Sequence, residues 1–195
     1  MVKIATWNVN SVKARLPLLL RWLDEFAPDI LLLQELKCVD EAFPHEEIGD
    51  KGYNIAVKGQ KTYNGVAILS KAPIEVDLRE LPGDKNDLQA RYIEGFTFDL
   101  RVASIYLPNG NPVDTEKYPY KLSFMERLYE RVAALLIHEE AFVLGGDYNV
   151  IAENVDCYSP KDWEGDALFR PETHEKWRKL IYLGLTNSFR ALNTK

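Results

Sequence analysis

The sequence predicts an α/β domain built as a layered sandwich, and three observations carry that prediction. A strand-like segment at Val2 to Thr6 is followed by a helical segment and then by Asp29-Ile30-Leu31-Leu32-Leu33-Gln34-Glu35. That short continuous apolar run is of the kind that forms a strand covered on both faces, and strand, helix and strand in this order imply a crossover unit. The middle third is a series of short strand-forming runs. A helical stretch then leads to a second apolar run, Phe142-Val143-Leu144. Sheets interrupted by a few helices pack as layers, and ligands then collect at the carboxyl ends of strands.

Each element has its local reason. Val2 to Val9 is rich in strand formers and breaks at Asn8-Val9-Asn10-Ser11, where Asn and Ser favour a turn and a helix cap. Leu16 to Phe26 carries apolar residues at helical spacing, with Pro17 suited to a first helical turn and Pro28 beyond the end. Tyr53 to Val57 and Tyr63 to Ser70 read as strands joined by Lys58-Gly59-Gln60-Lys61. Ile74 to Leu81, Arg91 to Phe98 and Leu100 to Tyr106 extend them into an antiparallel meander. Leu107-Pro108-Asn109-Gly110-Asn111-Pro112 ends that series, and a helix runs from Tyr118 to His138. Asn154 to Pro171 is irregular, and Glu172 to Leu183 is the last helix.

The bulk properties bound the rest. A chain of 195 residues, 46% hydrophobic, buries a core as a single domain over residues 1–195. With 30 acidic against 24 basic residues and a net charge of -6, there is no global basic signature for nucleic acid, so any DNA-binding face must be local. No apolar run approaches membrane-spanning length, and the N-terminus lacks a charged region followed by a long apolar core. The expectation is a cytoplasmic protein without a membrane partner. Cys38 and Cys157 are far apart and in no metal-binding spacing, which predicts reduced thiols and no zinc site.

Chemistry concentrates at four strand ends. Phe142-Val143-Leu144-Gly145-Gly146-Asp147-Tyr148-Asn149 presents a carboxylate and an amide two residues apart, which share one side of an extended backbone. Together they offer a hard oxygen ligand or proton acceptor beside a neutral donor suited to phosphate. The same residues are common in turns after buried strands, and this stretch alone does not decide between the two readings. Thr6-Trp7-Asn8, Gln34-Glu35, and Ser104-Ile105-Tyr106 with Pro108-Asn109-Gly110 end other strands in the same type of group.

With Gln34-Glu35-Leu36-Lys37-Cys38, Asn64-Gly65-Val66-Ala67-Ile68-Leu69-Ser70 and Trp163-Glu164-Gly165-Asp166-Ala167-Leu168-Phe169, these motifs closely resemble the exonuclease III family of Mg-dependent DNA repair nucleases. That family lies within the wider endonuclease/exonuclease/phosphatase superfamily, and the likeness runs from residue 1 to about residue 190. It implies a four-layer α/β/β/α sandwich of two mixed sheets. Glu35 becomes the principal Mg2+ ligand, with Asn8, Asp147 and Asn149 completing the metal and phosphate shell and Mn2+ as the alternative ion. Tyr106 donates to the scissile phosphate, Asp147 handles the proton of the attacking water or leaving oxygen, and Asn149 stabilises the charged transition state. Asn10, Lys37, Arg91, Lys117 and Lys121 become contacts to the backbone of double-stranded DNA. Trp163 braces its loop.

Members of the family continue past the equivalent of Asn187-Ser188-Phe189-Arg190 into further strands that carry an aromatic pocket for the abasic sugar and an Asp-His pair for the water. Ala191-Leu192-Asn193-Thr194-Lys195 matches none of this. The resemblance therefore implies a C-terminally truncated domain lacking its last strands, and predicts a homo-oligomer, a completing C-terminal segment or marginal stability. The expected function is Mg-dependent hydrolysis at abasic sites and 3′ ends. Its alternatives are a non-catalytic homologue that binds DNA or a partner, and a phosphodiesterase from another branch.

Overall fold

The computed structural model describes residues 1–193. Of the C-terminal pentapeptide singled out above, Thr194 and Lys195 lie outside the described residues. The chain divides into two compact units, Met1–Leu107 with Glu140–Tyr148, and Pro108–Glu139 with Asn149–Lys195.

The first unit contains two four-stranded mixed sheets. One holds β1 (Ile4–Asn8), β2 (Ile30–Gln34), β3 (Asn54–Lys58) and β4 (Val66–Ser70) in the order β1-β2-β4-β3. The other holds β5 (Glu75–Leu78), β6 (Tyr92–Thr97), β7 (Leu100–Tyr106) and β8 (Phe142–Asp147) in the order β5-β6-β7-β8. The α/β architecture of two mixed sheets is the one the sequence predicts. The antiparallel meander, however, is divided: β3 and β4 pair in the first sheet, while β5, β6 and β7 pair in the second. Strand-forming runs fix strands, but which strands pair is decided by long-range packing.

Helix α1 (Val12–Phe26) makes the crossover from β1 to β2, which pair in parallel. It starts four residues before the predicted Leu16, because the Ser11 hydroxyl accepts a bond from Ala14 N at 3.4 Å and caps it there. Pro17 consequently lies inside the helix rather than at its start. The short helix α2 (His45–Gly49) was not legible in the sequence.

The apolar run Ile30 to Leu33 of β2 is explained by the layers on either side. Leu31 and Leu33 join Val12, Leu19 and Leu23 of α1 in one core, and Ile30 and Leu32 join Ile93 and Val102 of the second sheet in another. All four β2 leucine and isoleucine side chains are fully buried, each stabilising the fold by about 1.5–3 kcal/mol. By contrast β8 is an edge strand, half-buried along its whole length.

Pairing registers bring the functional strand ends to one edge of this unit. Asn8 lies opposite Gln34 in the parallel β1-β2 pair, and Tyr106 opposite Asp147 in the parallel β7-β8 pair. Because β6 runs antiparallel to β7, Arg91, just before β6, sits at the Tyr106 end. Gly146 allows β8 its approach to β7: a Cβ there would lie 2.0 Å from the Ile105 carbonyl oxygen.

The second unit contains α3 (Lys117–Ile137), α4 (Pro171–Ile181) and α5 (Ser188–Leu192). Helices α3 and α4 are joined through Tyr118, whose hydroxyl lies 3.1 Å from Thr173 Oγ1, and through a Lys176 to Glu126 ion pair. No helix among the described residues is long and apolar enough to cross a membrane.

Candidate active site

Two carboxylates are drawn together at the strand edge of the first unit by one amide. Asn8 Nδ2 donates to Glu35 Oε1 at 2.8 Å and to Asp147 Oδ2 at 2.7 Å. Lys37 Nζ lies 3.0 Å from Glu35 Oε2 and also donates to Asn10 Oδ1. Burial alone would raise the Glu35 carboxyl, but hydrogen bonds from Asn8, Lys37 and Tyr106 outweigh it and hold the group below the usual carboxylate range. Tyr106 responds in the opposite direction: burial, and then the neighbouring Glu35 charge, push its phenol well above the ordinary value. The carboxylate is thus kept ionised beside a hydroxyl kept protonated.

The backbone around this group is unusual. Asn10, Glu35 and Lys37 all adopt positive φ, at 43°, 54° and 56°. Left-handed backbone costs a non-glycine residue about 1–2 kcal/mol and persists where the surroundings over-determine it. Here the segment after β2 remains laced on both sides beyond the strands, with Ser11 N, after β1, donating to Glu35 O at 2.7 Å and Lys37 N donating to Asn64 O, before β4, at 2.9 Å. The strained turn re-aims consecutive side chains so that both Glu35 and Lys37 reach one place.

Arg91 lies over the Tyr106 ring, 4.8 Å from its centroid, and its Nε donates to Gln89 Oε1 at 2.7 Å. Gln89 Oε1 also accepts from Asn64 Nδ2 at 3.2 Å. Gln34, to which the sequence motifs assign no role, is the anchor beneath the site. Its Nε2 donates to Thr6 Oγ1, Leu32 O and Ser104 Oγ at 3.0–3.1 Å, tying β1, β2 and β7 together. The visible signal is an amide ending an otherwise apolar buried strand.

The first unit therefore brings together Asn8, Asn10, Glu35, Lys37, Arg91, Tyr106 and Asp147. The other expected site residues, Asn149, Lys117 and Lys121, belong to the second unit. Strand alternation does not extend to Asn149, because β8 ends at Asp147 and Asn149 turns with φ 48°. Its side-chain oxygen accepts from Asn109 Nδ2 at 3.3 Å. Lys117 is exposed at the start of α3. Lys121 corrects the sequence reading: it is fully buried and donates to main-chain carbonyls, so it is not an exposed contact for a DNA backbone. Nothing in the sequence separates it from Lys117, four residues earlier on the same helix.

Residues 5–194 match the model of the endonuclease/exonuclease/phosphatase family. The chain belongs to that family. It is 32% identical to exodeoxyribonuclease III of Haemophilus influenzae over 203 residues, which cover 98% of this chain and 76% of the relative. An AP endonuclease structure from Archaeoglobus fulgidus superposes with a TM-score of 0.92 at 35% identity, over 98% of this chain and 74% of the other. A structure of the 3′ phosphatase NExo from Neisseria, bound to a product DNA hairpin, superposes with a TM-score of 0.94 at 35% identity, over 100% of this chain and 76% of that one. The family member described here is thus an exodeoxyribonuclease III-like nuclease, and its relatives are hydrolytic enzymes.

The donor chemistry fits a hard divalent cation. Two carboxylates joined by an amide match an ion that keeps most of its waters and takes one or two carboxylates plus substrate phosphate. The described residues hold no group of three or more His, Cys, Asp or Glu that could hold a metal ion.

Proposed function

We propose that this chain hydrolyses phosphodiester bonds of duplex DNA with Mg2+, or Mn2+ in its place, at abasic sites and at 3′ ends. The observation that carries this reading is the Asn8 bridge between Glu35 and Asp147, with the Tyr106 hydroxyl on the same carboxylate. Glu35 and Asp147 are the oxygen donors that would hold the cation, with Asn8 fixing their separation. The bound ion supplies Lewis-acid stabilisation of charge on the phosphate. Tyr106, protonated across the working range, donates to a non-bridging phosphate oxygen. Asp147 takes the proton of the attacking water or serves the leaving oxygen, and Asn149 donates to the charge of the transition state. Asn10, Lys37, Arg91 and Lys117 contact backbone phosphates, which position the duplex without reading its sequence.

Similarity to an exodeoxyribonuclease, a 3′ phosphatase and an AP endonuclease supports the two substrate ends named.

Glu35→Gln tests the reading, since it removes one charge at nearly constant shape. The variant is expected to keep its circular dichroism spectrum and to lose Mg2+ affinity by at least about tenfold in calorimetry, together with cleavage of an abasic duplex. Unchanged Mg2+ affinity would remove Glu35 from the metal site.

A further inference from the structure

The second unit holds a lysine that the proposed chemistry does not use. Lys121 has no exposed surface, and its Nζ donates to two main-chain carbonyls, Asn109 O at 3.1 Å and Asn149 O at 2.5 Å. An ammonium group withdrawn from water is costly unless its donors are paired, and a charged donor binds a carbonyl more strongly than a neutral one. The two carbonyls belong to turns that are 12 and 28 residues away along the chain, on either side of it.

Both turns need holding. Gly110 has φ 91° and Asn149 has φ 48°, each in the left-handed region. Gly110 packs against the lysine stem so closely that a Cβ there would sit 2.7 Å from Lys121 Cδ. Above the ammonium the side chains of the same two asparagines meet, Asn109 Nδ2 donating to Asn149 Oδ1. Asn109 is exposed and Asn149 half-buried, so this carboxamide pair reaches solvent while the cation beneath it does not.

The motif from Trp163 to Phe169 closes the same frame. Asn111 Nδ2 donates to both oxygens of Asp166 at 3.1 and 3.0 Å, and Ala167 N donates to Asn111 Oδ1 at 3.1 Å. Ile151 N donates to Leu168 O at 2.9 Å. One short segment thereby grips the turn of Asn109 and the turn of Asn149 from the other side.

We infer that Lys121 is a positioning residue, whose buried ammonium ties the Asn109 and Asn149 turns together and sets their two carboxamides as one donor pair for the substrate phosphate. This rests on the proposed function for its consequence, but not for its geometry. A lysine that only completed the packing of α3 would leave the pair independent of it.

Lys121→Met removes the charge at similar length, and Lys121→Arg keeps the donors. Amide hydrogen exchange at Asn111 and Ile151 is expected to speed up by about tenfold or more in K121M and to stay within about threefold of native in K121R. In single-turnover cleavage of a duplex 3′ end, K121M is expected to be slower by about 10- to 100-fold with DNA affinity within about threefold. In an Asn109→Ala, Asn149→Ala background the same change is expected to add less than about twofold, because the groups it positions are gone. Native exchange at both amides in folded K121M overturns the inference, as does equal slowing in both backgrounds. Should K121M fail to fold, K121R decides: native exchange and rate support the inference, and a folded K121R as slow as the double asparagine variant overturns it. A native chain that does not cleave removes the proposed function, and the exchange result alone then decides Lys121.

Discussion

Tyr106 and Glu35 each set the protonation state of the other. The carboxylate accepts the phenol's hydrogen bond and lies below its usual range, while burial and that same carboxylate hold the phenol above its own. With a raised pKa the hydroxyl stays protonated past the ordinary tyrosine value of about 10, so it remains a donor throughout neutral and mildly alkaline conditions. Tyr106→Phe is therefore expected to lower the rate by about 10²- to 10³-fold, the usual loss for one donor to a transition-state oxygen, with DNA affinity nearly unchanged. The pH dependence gives the sharper check. Between pH 8 and about pH 10 the native enzyme and the variant should have profiles of the same shape, because the phenol titrates above that window. An alkaline decline near pH 10 that disappears in Tyr106→Phe would mean the phenol is not held protonated as the geometry requires. At the same scale lies the difference between what could and could not be read from single residues. Glu35 and Asp147 stand at strand ends, where such residues also suit a turn, and it is the recurrence of the same chemistry at four strand ends that marks a site. Lys121 stands on an amphipathic helix, where a buried lysine and a solvated one look alike.

Elements were more legible than their pairings, for a physical reason visible in β2. A strand packed between α1 and the second sheet must be apolar on both faces, so Ile30 to Leu33 announces itself without reference to any partner. Whether β4 continues into the sheet of β5 depends on contacts distant in sequence, and that is where the predicted meander divided. Helix α2 is only five residues long and leaves no periodic pattern. The three-strand knot under the site was half visible. Gln34 is the polar end of an apolar strand, but its partners Thr6 and Ser104 are 28 and 70 residues away. Only 1% of Gln34 is exposed, and its amide links β1, β2 and β7 directly beneath Asn8 and Glu35. Replacing it by leucine takes from the buried Ser104 hydroxyl the donor that it accepts from, leaving it only its own bond to Leu33 O, and breaks the link to Thr6 at the exposed side of β1. Gln34→Leu is expected to cost about 2–3 kcal/mol in urea unfolding, although leucine is the more apolar residue. A variant as stable as the native chain would mean that the knot contributes nothing beyond its volume.

At the scale of the whole molecule the charge and the proposed partner oppose each other. The chain carries a net charge of -6, and a duplex is densely anionic, so long-range attraction cannot bring them together. Binding has to come from the few cations at the strand edge, and the fold makes this economical. Arg91 and Lys37 are held in place by Tyr106, Gln89, Glu35 and Asn10 rather than left as free surface side chains. Each phosphate they neutralise releases condensed counterions, and it is that local release, not the total charge of the protein, that sets the salt dependence. Two to four such contacts predict a log-log slope of affinity against salt of about -2 to -4, despite the acidic composition. The measurement is fluorescence anisotropy of a labelled duplex with the Glu35→Gln variant, which removes cleavage from the experiment. Arg91→Ala should flatten the slope by about one unit, since one phosphate contact is lost. A native slope near zero would place binding on uncharged contacts and remove the phosphate role assigned to Lys37 and Arg91, even if the chain still bound DNA.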